Sequence, residues 1–327
     1  MLTVYLLFAV GLVLLIKGGD WFVDGACGVA HRFHVPELLI GATIVSIGTT
    51  LPEVMVSATS AIQGHGEIAY GNAIGSVICN TALIAALTIT VAPCAVDRKS
   101  LRVPVIFFYI ASAVYCVTAY TGGYFGRIAG ALLLCCFVAY IVVSVIRAKR
   151  FPDEGNPFED GGDEGGNEEM PMWKTLLMLV VGAAAIAEGA DLLVDNGTLI
   201  AQALGVPESV IGLTMVALGT SLPELATAVT SLIKGHGALS LGNIVGANLF
   251  NLALVCGVAP LLAPFSIPEN TFIAGINASL LVDIPAAMFV MTFLTIPGIV
   301  RGKLSRWQGI ILLCVYVGFL VYQFVVV

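Results

Sequence analysis

The segment Gly48-Thr49-Thr50-Leu51-Pro52-Glu53 returns 171 residues later as Gly219-Thr220-Ser221-Leu222-Pro223-Glu224. Each copy places a carboxylate directly after a proline, in the middle of a long apolar stretch. A charge at the bilayer centre costs roughly 2.5–3.5 kcal/mol on insertion scales. No lysine or arginine stands near the middle of any apolar run to neutralise either acid. Two acids at matched positions therefore point to a cation site at membrane depth, and so to ion transport.

The composition agrees. Hydrophobic residues make up 58% of the 327 residues and charged residues 11%, with a mean hydropathy of +1.00. A soluble domain carries about 25% charged residues. Runs of spanning length predict an all-α multi-pass membrane protein of ten transmembrane helices. They fall near residues 2–22, 38–62, 68–93, 103–120, 125–146, 174–194, 209–233, 239–262, 283–300 and 307–326. Asp283 and Pro285 set the start of the ninth, leaving Pro268 to Leu281 as an interfacial loop. The N-terminal run lacks a basic leader and a cleavage site, and reads as a retained first span. Arg32, Arg98, Lys99, Arg102, Arg147, Lys149, Arg150, Lys174, Lys234, Arg301, Lys303 and Arg306 share one side. Arg127 alone falls clearly on the other, and Lys17 can snorkel. The positive-inside rule then orients the chain in a cytoplasmic membrane with both termini outside.

The duplication extends beyond the six-residue motif. Pro36–Asn80 and Pro207–Asn251 agree at 21 of 45 positions, and Asp20/Asp191 and Asp24/Asp195 keep the same offset. Each half holds five predicted spans, an odd number, so the second enters the membrane from the opposite side. The expected organisation is two inverted five-helix repeats, residues 1–147 and 173–327, joined by an acidic cytoplasmic linker, 148–172. Inverted repeats place a substrate site near the midplane on a pseudo-two-fold axis. The linker carries most of the net charge of -7 and reads as disordered. A regulatory calcium sensor is the sharper alternative, but the ligand order of an EF-hand is missing.

Pro52 and Pro223 lack an N–H and clash with the preceding turn, while Gly48 and Gly219 loosen it. Helices two and seven are therefore expected to break in mid-membrane and free carbonyls near Thr49 and Thr220. Unwound backbone at this depth is tolerated where it is buried or lines a cavity. Carbonyls, hydroxyls and two carboxylates form an all-oxygen set suited to calcium. Helices three and eight supply Asn72, Ser76 and Asn80, then Asn243, Ala247 and Asn251, each set spaced along one helical face. Gly71, Gly75, Gly242 and Gly246 allow close helix packing. Asn80 and Asn251 are the best secondary ligands.

The pair GATIVSIGTTLPE and GLTMVALGTSLPE, each followed by a Gly-Asn-x-x-Gly helix, resembles the two alpha-repeats of sodium/calcium exchangers. The likeness covers nearly all ten spans, and points to small prokaryotic members of the calcium/cation antiporter superfamily. It implies calcium-binding carboxylates at Glu53 and Glu224, backbone oxygens at Thr49 and Thr220, and sodium positions lined by Thr50 and Ser221. Ser46 and Ala217 occupy equivalent places where a carbonyl serves either way. Ala247 stands where a serine is often found, which weakens one peripheral sodium site. Asn251 stands where potassium-dependent relatives carry Asp, which argues against potassium co-transport.

Two ionised acids cannot cross a low-dielectric barrier unaccompanied. Exchange then requires a filled site: one calcium, several sodium ions, or two protons. Helices one and six are expected to slide across the ligand helices. Proton-coupled divalent antiport stays open beside sodium coupling, and a channel is the competing class. No nucleophile with a base and no His-Glu-x-x-His motif suggests an enzyme. No cofactor and no nucleic acid is implied, and one chain in a lipid bilayer suffices. His65 and His236 read as polar turn residues rather than pH sensors, and Glu37 and Glu208 as helix caps. Asp283 reads as an interfacial residue rather than a proton carrier. Lys17 and Glu188, at matched positions, can both snorkel. The eight cysteines read as small packing residues with no metal-binding spacing.

Overall fold

The computed structural model describes residues 1–150, 170–205, 219–269 and 272–326. Its helices are α1 (Leu2–Arg32), α2 (Glu37–Ile62), α3 (Gly66–Val91), α4 (Arg98–Gly122), α5 (Arg127–Arg150) and α6 (Met172–Ala203). They continue as α7 (Leu222–Ile233), α8 (Gly237–Leu262), α9 (Ser279–Arg301) and α10 (Arg306–Val326). Among the described residues, nine helices are long and apolar enough to cross a membrane, and α7 is shorter. The first part of the predicted seventh span, residues 209–218, lies outside the described residues, as do Glu208 and the linker acids 153–169.

Helices α1 and α6 run about ten residues past the predicted ends at 22 and 194. A helix of 31 residues is about 46 Å long, so it must tilt to fit a hydrocarbon core of about 30 Å. The extension follows from how the two helices pack. Gly11, Gly18 and Gly25, seven apart, line a seam against α6. A Cβ on them would lie 2.9 Å from the Gly189 oxygen, 2.8 Å from the Ile186 nitrogen and 2.8 Å from the Leu179 nitrogen, respectively. Partner numbers fall as the α1 numbers rise, so the helices are antiparallel. Their repeat-matched aspartates make α1 and α6 equivalent elements, and antiparallel equivalents are what inversion of the halves requires.

The other helices form the second body. Its buried core draws on α3, α4, α5, α8 and α9. Helices α2 and α8 cross there at backbone contact. A Cβ on Gly242 would overlap the Leu38 carbonyl, and one on Gly246 would overlap the Ser46 hydroxyl. Small residues permit such approach in membranes. No described atom lies within 4 Å of a Cβ built on Gly71 or Gly75, so their expected close packing is not seen among the described residues.

Four helices contain π-helical segments: Gly41–Val45, Asn80–Ala85, Asn251–Val255 and Ser279–Asp283. The last corrects the predicted start of the ninth helix. Asp283 ends that segment and accepts from Gln323 at 3.3 Å. The preceding stretch is a hairpin, β3 (Phe272–Ile273) with β4 (Ile276–Asn277). Its turn residues Ala274 and Gly275 both have positive φ, the requirement of a two-residue hairpin turn. A second two-residue pair, β1 (Tyr124–Phe125) and β2 (Phe265–Ser266), ties the α4–α5 turn to the residues after α8.

At the basic end, Lys234 after α7 reaches Asp24 at 2.7 Å and Asp20 at 3.6 Å. Asp20 lies near the predicted end of the first span and Asp24 in the α1 extension, and Lys234 offsets the charge of both. Glu37 lies in the first turn of α2 but makes no side-chain cap; its carboxylate instead meets His236 at 2.8 Å. That hydrogen bond raises the His236 pKa against the opposing effect of burial; Asp24 adds to the rise and Lys234 opposes it. The contact stabilises fully below the unfolded histidine pKa and is lost as pH rises through the folded one.

Two predictions follow from this packing. Gly242→Ala should destabilise the protein by about 1–3 kcal/mol through overpacking, whereas Gly318→Ala, with open space around it, should not. Thermal unfolding in detergent compares them. In a histidine NMR titration, His236 should deprotonate above the ordinary value of about 6.5, and Glu37→Gln should lower it.

Candidate cation site

The first motif does not break its helix. Helix α2 is continuous through Pro52, and the irregularity lies about two to three turns earlier, in the Gly41–Val45 π segment. Backbone N–H groups closing that segment bond to the carbonyls of Gly41 and Thr43. The Ala42 carbonyl between them accepts the buried Tyr140 hydroxyl at 2.6 Å. Ser46 Oγ donates to the Gly41 carbonyl at 2.8 Å and lies 3.0 Å from the Asn243 carbonyl. The irregularity of α2 is thus a π-bulge rather than a break at the proline, consistent with the concentration of such bulges at functional sites.

The second motif behaves as expected. Thr220 and Ser221 form a turn, and α7 starts at Leu222. Pro223 falls in the first turn, where a missing N–H is harmless. The motif glycines do more than loosen a turn. A Cβ on Gly48 would lie 2.7 Å from the Phe22 ring of α1, and one on Gly219 2.6 Å from a Val194 methyl of α6. Both motif helices therefore press against the long pair at matching positions.

Glu53 and Glu224 are fully buried and close enough to interact electrostatically. Among the described residues, none of their four carboxylate oxygens has a hydrogen-bond partner. The same holds for Thr50 Oγ1 and Ser221 Oγ, and for both amide atoms of Asn80 and Asn251. These are three repeat-related pairs, drawn from α2, α3, α8 and the turn and first helical turn that open α7. An orphaned buried polar atom costs on the order of 1–3 kcal/mol, and more when charged. No lysine, arginine or histidine pairs with either acid among the described residues. Oxygen-rich, anionic and buried, this cluster fits a hard cation.

The other sequence candidates take different places. Asn72 donates to the Glu53 carbonyl at 3.2 Å and to Ser57 Oγ at 2.9 Å. Asn243 donates to Thr227 at 2.9 Å and accepts from Ser46 and Thr49 at 3.3 and 3.2 Å. Both amides are thus engaged in holding the backbone around the acids, rather than free like Asn80 and Asn251. Thr49 is buried through its link to Asn243, and its hydroxyl lies beside Glu224. Ser76 is buried on α3 and Thr220 half-buried in the turn. Ala217 lies outside the described residues.

Three supports were not found from the sequence. Tyr140 was hidden in an ordinary apolar span. Thr227 donates to the Pro223 and Glu224 carbonyls at 2.9 and 3.0 Å; its position one turn beyond the acid was the available signal. Asn248 donates to Thr81 at 2.7 Å, a cross-repeat contact that spacing alone does not reveal.

The chain matches the sequence profile described as sodium/calcium exchanger protein over residues 3–146 and 174–325. It is 35% identical to a putative antiporter, CaxA, of Alkalimonas amylolytica, across 98% of each chain. It is 30% identical to the sodium/calcium exchanger MaX1 of Methanosarcina acetivorans, across 99% of each. Among solved structures it resembles the sodium-calcium exchanger NCX_Mj soaked with sodium and calcium, with a TM-score of 0.77, 31% identity and 97% coverage of both chains. With most of its length matched by one profile, and relatives of this identity aligned end to end, the chain belongs to the sodium/calcium exchanger family.

Proposed function

We propose that this protein is a sodium-driven calcium antiporter that works by alternating access. The observation that carries the reading is the orphaned set at Glu53, Glu224, Thr50, Ser221, Asn80 and Asn251. Every member has its counterpart in the other repeat, and the donor chemistry is wholly that of oxygen ligands once the amides turn their oxygens inward. Calcium takes the centre between the two carboxylates, joined by the Thr49 and Thr220 carbonyls. Sodium ions take the flanking positions at Thr50 and Ser221, with the Ser46 and Ala217 carbonyls and Ser76 at the periphery. Asn72 and Asn243 position the acid-bearing backbone.

Charge explains why exchange is obligatory. Two buried carboxylates repel one another, and the site can pass through its closed form only when cations cancel them. The long pair α1/α6 supplies the moving part. Its glycine seam holds the two helices as one body, and Phe22 and Val194 bear on the motif glycines on either side of the site. Sliding that pair opens one side while sealing the other. The basic end faces the cytoplasm, by the distribution of lysine and arginine. Exchange of three sodium ions for one calcium moves one net charge, coupling the cycle to voltage at about 2.3 kcal/mol per 100 mV.

Calcium-45 uptake into reconstituted vesicles tests this. An outward sodium gradient should drive uptake, and Glu53→Gln or Glu224→Gln should reduce it by at least tenfold, on the order expected for losing a charged group at a buried site. Uptake that ignores sodium but follows an imposed pH gradient would replace sodium by protons as the coupling ion. A membrane potential, inside negative, should slow sodium-driven calcium entry if one positive charge leaves per cycle; no response would make the exchange electroneutral.

A further inference from the structure

Away from the central cluster, three metal-ligating side chains converge at the basic end of the bundle. Cys27 comes from α1, Glu37 from the first turn of α2, and His236 from the residue before α8. Their ligand atoms all lie within 4.8 Å of one another. Glu37 Oε1 meets His236 Nδ1 at 2.8 Å, while Glu37 Oε2 is buried with no partner among the described residues. Cys27 and Glu37 border a cavity of about 1260 Å³ that His31 and His34 also line, so a hydrated ion has a route to the group.

We propose that Cys27, Glu37 and His236 form a binding site for a zinc-class divalent ion. The donor set decides the class: thiolate, imidazole and one carboxylate suit zinc, whereas calcium requires six to eight oxygens. Three protein ligands leave a fourth tetrahedral position for water. On binding, the Cys27 S–H bond breaks, a sulfur–metal bond forms, and the proton leaves to solvent. His236 ligates as the neutral ring and gives up any second proton with it. The three ligands join α1 to the starts of α2 and α8, so the bound ion staples the long pair to the ion-binding body. Resting on the alternating-access reading, this staple slows exchange by holding the basic end closed.

Cobalt titration of the purified full-length protein tests the site without transport. One equivalent should produce a near-ultraviolet thiolate-to-cobalt absorption, and zinc should displace it. Cys27→Ser should abolish the band, and His236→Gln should weaken binding by roughly tenfold or more. Cys94→Ser, altering the other cysteine lining the cavity, should leave it intact. No band, or a band that survives Cys27→Ser, overturns the site. In vesicles, zinc at the basic side should slow wild-type exchange but not that of Cys27→Ser, whose zinc-free exchange should be normal. Equal slowing of both overturns the staple. A wild-type protein without any exchange would defeat the antiport reading, while the cobalt spectrum still decides the site.

Discussion

Mutual repulsion between Glu53 and Glu224 is the constraint around which the molecule is organised. Both are fully buried, and neither meets a cationic side chain among the described residues. In a soluble protein, such a pair would be relieved by water or by a lysine. Here the surrounding groups do the opposite: Thr50, Ser221, Asn80 and Asn251 add further polar atoms without partners. The fold therefore holds the acids among buried oxygen donors, the arrangement on which the proposed cation site rests. Asn72, Asn243 and Thr227 show how it is held, since their hydrogen bonds run to the backbone and hydroxyls beside the acids. Secondary contacts of this kind fix the orientation of metal-binding groups.

The two bodies of the fold divide the work. Close glycine packing joins α1 and α6 along one seam. Their contacts with the motif glycines reach the backbone directly beside the site. At the basic end, Lys234 bonds to Asp24 of α1, whereas the repeat-equivalent residue at the opposite end is Gln63. The inverted halves are thus chemically unequal: one end has an ion-paired latch between the bodies and the other lacks the lysine. A partly exposed pair of this kind contributes up to about 1 kcal/mol.

Much of this was legible in the sequence because membrane burial makes a charged residue conspicuous. The doubled Leu-Pro-Glu, the span count and the inversion all follow from that one cost. Helix ends were less legible. The spans read from the apolar runs end at 22 and 194, but α1 and α6 continue along a shared glycine seam, and Lys234 supports α1 further. Proline chemistry was also incomplete as a guide. Pro223 opens a helix as expected, while α2 runs on through Pro52 and carries its irregularity upstream, in the π segment where Tyr140 bonds the Ala42 carbonyl. The amides divide by their partners, not their spacing: Asn72 and Asn80 share a helical face, yet only Asn80 is left free. The Cys27–Glu37–His236 cluster was invisible, since Glu37 and His236 stand 199 residues apart and meet only through the crossing of α2 and α8.

The most direct measurement is an anomalous difference map from crystals soaked in strontium, a calcium mimic with strong scattering. The account predicts one dominant peak on the pseudo-two-fold axis, within coordination distance of both Glu53 and Glu224. A peak bound by one acid alone, or the two carboxylates turned apart toward lipid, would contradict it.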